Sequence, residues 1–215
     1  MKISAAIFDL DGTLIDTEDQ WGMAFAGVLK GLGKDVADKH PEVFGAPMEE
    51  NWPMLLRKYQ IKTVKTMEEL NSLTYEEYVK QLSGISLIEG ADDFLDSLKE
   101  SGVKIGLVTN CEWWVVDKVF NNLGLTGIFD AVVTREETPL PKPSPEPLLL
   151  IADKLGELSK DCLAIGDSPT DIEAAQSAEM KVIILDPTGE KENIDKADLI
   201  VEGFSEITPK VIEGL

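Results

Sequence analysis

The stretch Phe8-Asp9-Leu10-Asp11-Gly12-Thr13 follows a short apolar run, Ile3 to Phe8, that reads as a buried strand. Two carboxylates spaced i, i+2 at a strand end project to the same side of it. Like charges that close repel, and one is driven toward its protonated form unless a cation neutralises the pair. Gly12 lets the chain turn without a Cβ clash. An apolar strand ending in paired acids and a glycine turn points to a metal-centred site.

The chain around this stretch has 215 residues, enough for one large domain or a domain with an insert. Its 40 acidic and 20 basic residues give a formal charge of −20, a field that repels nucleic acid and anionic membranes. A phosphate-bearing ligand must therefore be drawn by a local cation and not by the surface. Cys111 and Cys162 lack the spacing of a zinc site, and two cysteines fit a reduced, cytoplasmic protein. Asp9 cuts the N-terminal apolar run too short for a signal peptide, and no run reaches the roughly 18 apolar residues of a membrane span.

From Asp16 to about Ser83 apolar residues recur at helical spacing, first Trp21, Phe25, Val28 and Leu29, later Trp52, Leu55, Leu70, Tyr75 and Tyr78. Gly31, Gly33, Pro41, Gly45, Pro47 and Pro53 punctuate the run, which predicts three to four helices and no strand. Beyond Gly84 the pattern alternates. Strands are expected at Val103–Val108, Phe129–Val133, Cys162–Ile165, Lys181–Leu185 and Leu199–Val201, with helices between them. That alternation predicts an α/β fold, a doubly wound, Rossmann-like parallel sheet. Ligands of such sheets bind beyond the carboxyl ends of the strands. Asp9 and Asp11, Thr109 and Asn110, and Asp167 all follow strands, so one sheet edge collects them.

Four motifs now stand in order: Asp9-x-Asp11-Gly12-Thr13, Thr109-Asn110, Lys142-Pro143 and Gly166-Asp167-Ser168-x-x-Asp171. They resemble those of the haloacid dehalogenase superfamily. More narrowly, they are similar to its beta-phosphoglucomutase/phosphoglycolate-phosphatase-like branch, which inserts a helical cap after the first strand. The resemblance implies a core over residues 1–15 and 84–215 and a cap over residues 16–83. It also implies a Mg²⁺-dependent phosphatase acting on a small phosphorylated metabolite. Asp9 would be the nucleophile that forms an aspartyl-phosphate, and Asp11 the acid and then the base. Mg²⁺ would be held by Asp9, the backbone carbonyl of Asp11 and Asp167, with Asp171 a further ligand or the holder of a metal-bound water. Leu10, Thr109 and Asn110 would bind phosphoryl oxygens, and Lys142 would offset charge on nucleophile and phosphoryl group.

Each motif has a plainer reading when taken alone. Thr109-Asn110 also suits a strand-to-helix cap, Lys142 a solvated loop lysine, and Asp171 the first-turn acid of its helix. Ser168 reads as a helix cap and His40 as a surface residue ahead of Pro41. Trp114 reads as core. Cys111, Glu112 and Trp113 follow the phosphate-binding Thr109 and are expected to line a substrate pocket, with Trp21 meeting them from the cap. The basic cluster Arg57, Lys58, Lys62, Lys65 reads first as a solvated face.

Sugar-phosphate mutases of this branch carry a histidine shortly after the first motif, where this chain has Trp21. They also carry a cap arginine just after a glycine turn, where it has Ala46-Pro47-Met48-Glu49-Glu50 after Gly45. Both departures favour a hydrolase over the alternative, a phosphomutase. A dehalogenase needs neither Asp11 nor Asp167. A catalytically silent binding protein on the same fold would be expected to have lost one of these carboxylates. A monomer is compatible with the small cap.

Overall fold

The computed structural model describes residues 3–42 and 48–215. Gly45, Ala46 and Pro47, the turn compared with the cap arginine of the mutases, lie outside the described residues. The chain forms two compact units, one of residues 1–15 with 87–215 and one of residues 16–86.

The larger unit is built on six parallel strands. These are β1 (Ala5–Phe8), β2 (Lys104–Val108), β3 (Ala131–Val133), β4 (Cys162–Gly166), β5 (Lys181–Leu185) and β6 (Leu199–Val201). Their order across the sheet is β3-β2-β1-β4-β5-β6. Alternate residues of β1 go to opposite layers. Ala5 and Ile7 join a buried cluster with Val108, Val133, Leu148, Ile151, Ile172 and Ile184. On the other face, the Phe8 ring meets Phe94 edge-on at 6.0 Å, and Phe94 lies 5.4 Å from Phe204. Cover on both faces explains why these strands read as unbroken apolar runs.

The smaller unit holds three α-helices among its described residues, α1 (Glu18–Gly31), α2 (Met48–Lys58) and α3 (Met67–Val79). Residues 84–86 go with this unit. Asp16 N–H donates to the Ser86 carbonyl, and Gln20 Nε2 donates to that of Gly84. Helix α3 starts on a capping box, in which Glu69 N–H donates to Thr66 Oγ1 and Thr66 N–H to Glu69 Oε2. Pro53, expected to punctuate the run, lies inside α2. Burial of both Trp52 and Leu55 outweighs the lost backbone bond, and Trp52 Nε1 also donates to Thr74 Oγ1 at 3.1 Å. Lys58 of the basic cluster is exposed and pairs with Asp38 at 3.2 Å.

The elements that carry the remaining motifs are α4 (Ala91–Glu100), α5 (Trp113–Leu123), α6 (Glu146–Leu155) and α7 (Pro169–Ser177), with α8 (Pro209–Glu213) last. Both cysteines are free and buried. Among the described residues no helix is long and apolar enough to cross a membrane.

Candidate active site

Strand register decides what meets at the sheet edge. Phe8 is level with Leu107 of β2 and Ile165 of β4. The segments that follow, Asp9-Leu10-Asp11, Thr109-Asn110 and Gly166-Asp167, therefore leave the three central strands together. Asp9 N–H donates to the Ile165 carbonyl at 2.9 Å, fixing the start of its segment against β4. Leu10 turns its side chain into the core, while its carbonyl accepts from the Leu14 amide at 2.9 Å.

Lys142 enters from the loop ahead of α6. Asn110 fixes that loop by two backbone bonds, donating to the Lys142 carbonyl at 3.1 Å and accepting from its amide at 3.0 Å. The ammonium lies 2.8 Å from Asp9 Oδ1 and 2.7 Å from Asp171 Oδ1, with 4% of the side chain exposed. It is a buried ion-pair centre and not a solvated loop lysine. Asp171 takes the first-turn part expected of it and adds an ion pair that was not expected. Its Oδ2 accepts from the Ser168 hydroxyl at 2.6 Å and the Ser168 amide at 3.1 Å, as a first-turn helix acid does, while Oδ1 faces Lys142. Gly166 leaves room for this, since a Cβ there would stand 2.4 Å from Asp171 Cγ.

Asp167 is held from the other side. The Lys191 ammonium lies 2.7 Å from its Oδ2 and 3.0 Å from its carbonyl oxygen, and Thr13 Oγ1 donates to Oδ1 at 3.3 Å. Gly12 sits beneath this carboxylate with φ +76°, and a Cβ on it would come 2.4 Å from Oδ2. The glycine thus serves the turn and the close approach of Asp167 at once.

One oxygen from each of Asp9, Asp167 and Asp171 lies within 4.8 Å of the others. Hard carboxylate oxygens delivered by separate segments suit a small oxygen-seeking cation. Local charge agrees. Burial pushes the Asp9 carboxyl well above its ordinary range, and Asp171 and Asp167 add to this against the pull of Lys142. Burial likewise pushes Asp167 up to about 6 although Lys191 opposes it. Asp171 goes the other way, because Lys142 and the Ser168 hydroxyl outweigh its burial. Lys142 is held protonated by Asp171 and Asp9 in spite of its own burial. With two lysines in place, the cluster is still short of positive charge.

Asp11 lies next to this group, and the Cys111 thiol donates to its Oδ2 at 3.3 Å. Burial and the Asp11 charge push that thiol well above the ordinary range, so it stays protonated. Thr109 is buried and its Oγ1 accepts from the Cys111 amide at 3.1 Å. Glu112 turns an oxygen to Trp114 Nε1 at 2.8 Å, and Trp114 is half-buried rather than a core residue. Trp113, at the start of α5, is 49% exposed. In the smaller unit Trp21 is a core residue, stacked on Tyr78 at 4.1 Å and edge-on to Tyr75 at 5.9 Å. His40 pairs with Asp19 at 3.3 Å.

Residues 6–185 match the family model described as "Haloacid dehalogenase-like hydrolase". The chain belongs to the haloacid dehalogenase-like hydrolases. Among its relatives in this family is "Hexitol phosphatase B" of Escherichia coli (strain K12), 30% identical with 99% of this chain and 98% of that one covered. "Phosphoglycolate phosphatase" of Salmonella choleraesuis (strain SC-B67) is also 30% identical, over 97% of this chain and 92% of that one. A solved structure of beta-phosphoglucomutase from Clostridium difficile superposes with a TM-score of 0.82 at 28% identity, covering 99% and 96%. The chain is a haloacid dehalogenase-like hydrolase of the phosphatase type, on the six-stranded parallel fold of that family. Lys191 is the residue of the site that sequence reasoning missed. It stands alone in a polar loop, and no spacing in the chain links it to Asp167.

Proposed function

We propose that the protein is a Mg²⁺-dependent phosphomonoester hydrolase that acts on a small phosphorylated metabolite, a sugar phosphate or a similar ester. The observation that carries this reading is the setting of Asp9. Its carboxylate retains 14% exposure, pairs with a buried ammonium at 2.8 Å, and has a second acid two residues on.

An Asp9 oxygen attacks phosphorus, the bond from phosphorus to the ester oxygen breaks, and Asp11 gives its proton to the departing alkoxide. Water then attacks the phosphorus of the aspartyl-phosphate. Asp11 takes the water proton as Asp9 is released with inorganic phosphate. Lys142, fixed by Asn110 and Asp171, keeps positive charge beside the reacting oxygens throughout. Thr109 and Asn110, with the Leu10 backbone, face the phosphoryl oxygens. Asp9, the Asp11 carbonyl, Asp167 and Asp171, the last as a ligand or through a metal-bound water, would hold Mg²⁺, which when bound would supply positive charge for the phosphate dianion.

The names of two relatives, a hexitol phosphatase and a phosphoglycolate phosphatase, support a small phosphorylated metabolite. Trp21 in place of the mutase histidine, spent in packing on Tyr78, supports hydrolysis over phosphoryl return to a sugar. The test is phosphate release from p-nitrophenyl phosphate and from a panel of hexitol, hexose and two-carbon phosphates with Mg²⁺. Release is expected with several esters, lost in Asp9→Asn and on chelation. A protein that releases nothing from the whole panel disproves the reading. Isomerisation without net release, dependent on a bisphosphorylated sugar, would instead establish a mutase.

A further inference from the structure

Lys191 belongs to none of the four motifs, yet it makes two contacts with Asp167 and is a quarter exposed. A loop built for the purpose carries it there. Beyond β5 the buried Asp186 gathers residues 188–191. Its Oδ1 accepts from Thr188 Oγ1 at 3.1 Å and from the Gly189 amide at 2.9 Å, and its Oδ2 from the Lys191 amide at 3.3 Å. This fixes the lysine backbone beside the end of β4, within reach of both the carboxylate and the carbonyl of Asp167.

The ionised site holds four carboxylates, Asp9, Asp11, Asp167 and Asp171, against two ammoniums, Lys142 and Lys191. That leaves it two charges short of neutral, the deficit that one divalent cation makes up. Lys142 touches two of the acids and is central to the arrangement, whereas Lys191 touches only Asp167. Without Lys191 the deficit grows by one. The site then holds a dication more tightly and an incoming phosphate dianion less well.

We propose that Lys191 is the charge-balancing residue of this site. By pairing with Asp167 it lowers affinity for the metal ion and raises affinity for the anionic ester, so that neither is bound at the expense of the other. The inference rests on the metal-site reading above and assigns a role to a residue outside the motifs.

The experiment measures two affinities by calorimetry, for wild type, Lys191→Met, Lys191→Gln and Lys191→Arg. One is for Mg²⁺ added to metal-free protein, and the other for inorganic phosphate added at saturating Mg²⁺. Thermal melts identify the variants that are folded. In the Met and Gln variants Mg²⁺ is expected to bind about tenfold more tightly and phosphate about tenfold more weakly. The Arg variant is expected to stay within about threefold of wild type on both. A lysine that merely orders Asp167 predicts that both affinities fall together. Parallel changes, or no change in either affinity, overturn the proposal while leaving the metal site standing. A wild-type protein that binds no Mg²⁺ overturns the metal-site reading and this inference with it.

Discussion

The Lys142 ammonium lies 2.8 Å from Asp9 Oδ1 in a place that leaves only 4% of the lysine side chain exposed. Taking an ammonium out of water costs several kcal/mol, and here the second contact to Asp171 is what compensates. The pair is therefore a three-body arrangement in which each member is stable only with the other two.

Lys142→Met tests that arrangement. It leaves two buried carboxylates uncompensated, so stability should fall by about 3–5 kcal/mol. The loss of charge beside the nucleophile should lower kcat/KM by about 10²- to 10³-fold. Urea unfolding and steady-state phosphate release measure the two effects. A solvated loop lysine would leave stability within about 0.5 kcal/mol of wild type.

Gly12→Ala should damage the site without touching an acid. The left-handed backbone at φ +76° costs an alanine about 1–2 kcal/mol. The new Cβ, 2.4 Å from Asp167 Oδ2, must also push that carboxylate aside. Metal titration of the variant is expected to show at least tenfold weaker binding. Wild-type affinity in this variant would mean that Asp167 is not held over the glycine turn as described.

Asp186 gives a pH signature away from the acid cluster. Its burial favours the protonated form, but the Thr188 hydroxyl and the Lys191, Gly189 and Thr188 amides outweigh that and hold its carboxyl below the ordinary value. A carboxyl depressed on folding stabilises the protein above its unfolded value near 4 and loses that contribution as pH falls through the folded value. Asp186→Asn should therefore be less stable than wild type at pH 7, with the gap closing toward pH 3. Denaturant midpoints at a series of pH values read this directly, and a gap that widens on acidification contradicts it.

Trp21 tests the smaller unit by itself. Its ring is stacked on Tyr78 and only 8% exposed, so Trp21→Ala should cost about 3–5 kcal/mol, whereas Trp21→Phe keeps a ring and should cost less. Near-ultraviolet circular dichroism on heating follows the loss of this cluster. An alanine variant as stable as wild type would exclude a core role.

The residues that could be recognised in the chain each stand at the end of a strand. Asp9, Thr109 and Asp167 each follow a run of buried apolar residues, and the two-sided burial of a parallel sheet makes those runs plain. Lys142 was marked by its prolines and its place in the motif order, although nothing in its neighbours revealed a side chain buried between two acids. Other features depend on contacts that no local pattern encodes. Lys191 reaches Asp167 across 24 positions through a loop ordered by Asp186, and Cys111 meets Asp11 across 100. Trp114 shows the reverse limit. Helical spacing assigned it to the core, but the indole N–H had a carboxylate two residues away to satisfy it nearer the surface.

The position of β1 in the middle of the sheet also governs how the protein comes into being. Synthesis delivers the strand and its paired acids first, yet both flanking strands, β2 and β4, and every lysine that meets the acids come about a hundred residues or more later. Until then the segment is an apolar strand with two open edges and an uncompensated acidic end. A nascent chain stopped before residue 104 carries Asp9 and Asp11 without the strands or lysines that surround them in the folded protein. Folding of the larger unit is thereby tied to the arrival of β2 and β4, a long-range pairing of the slow kind.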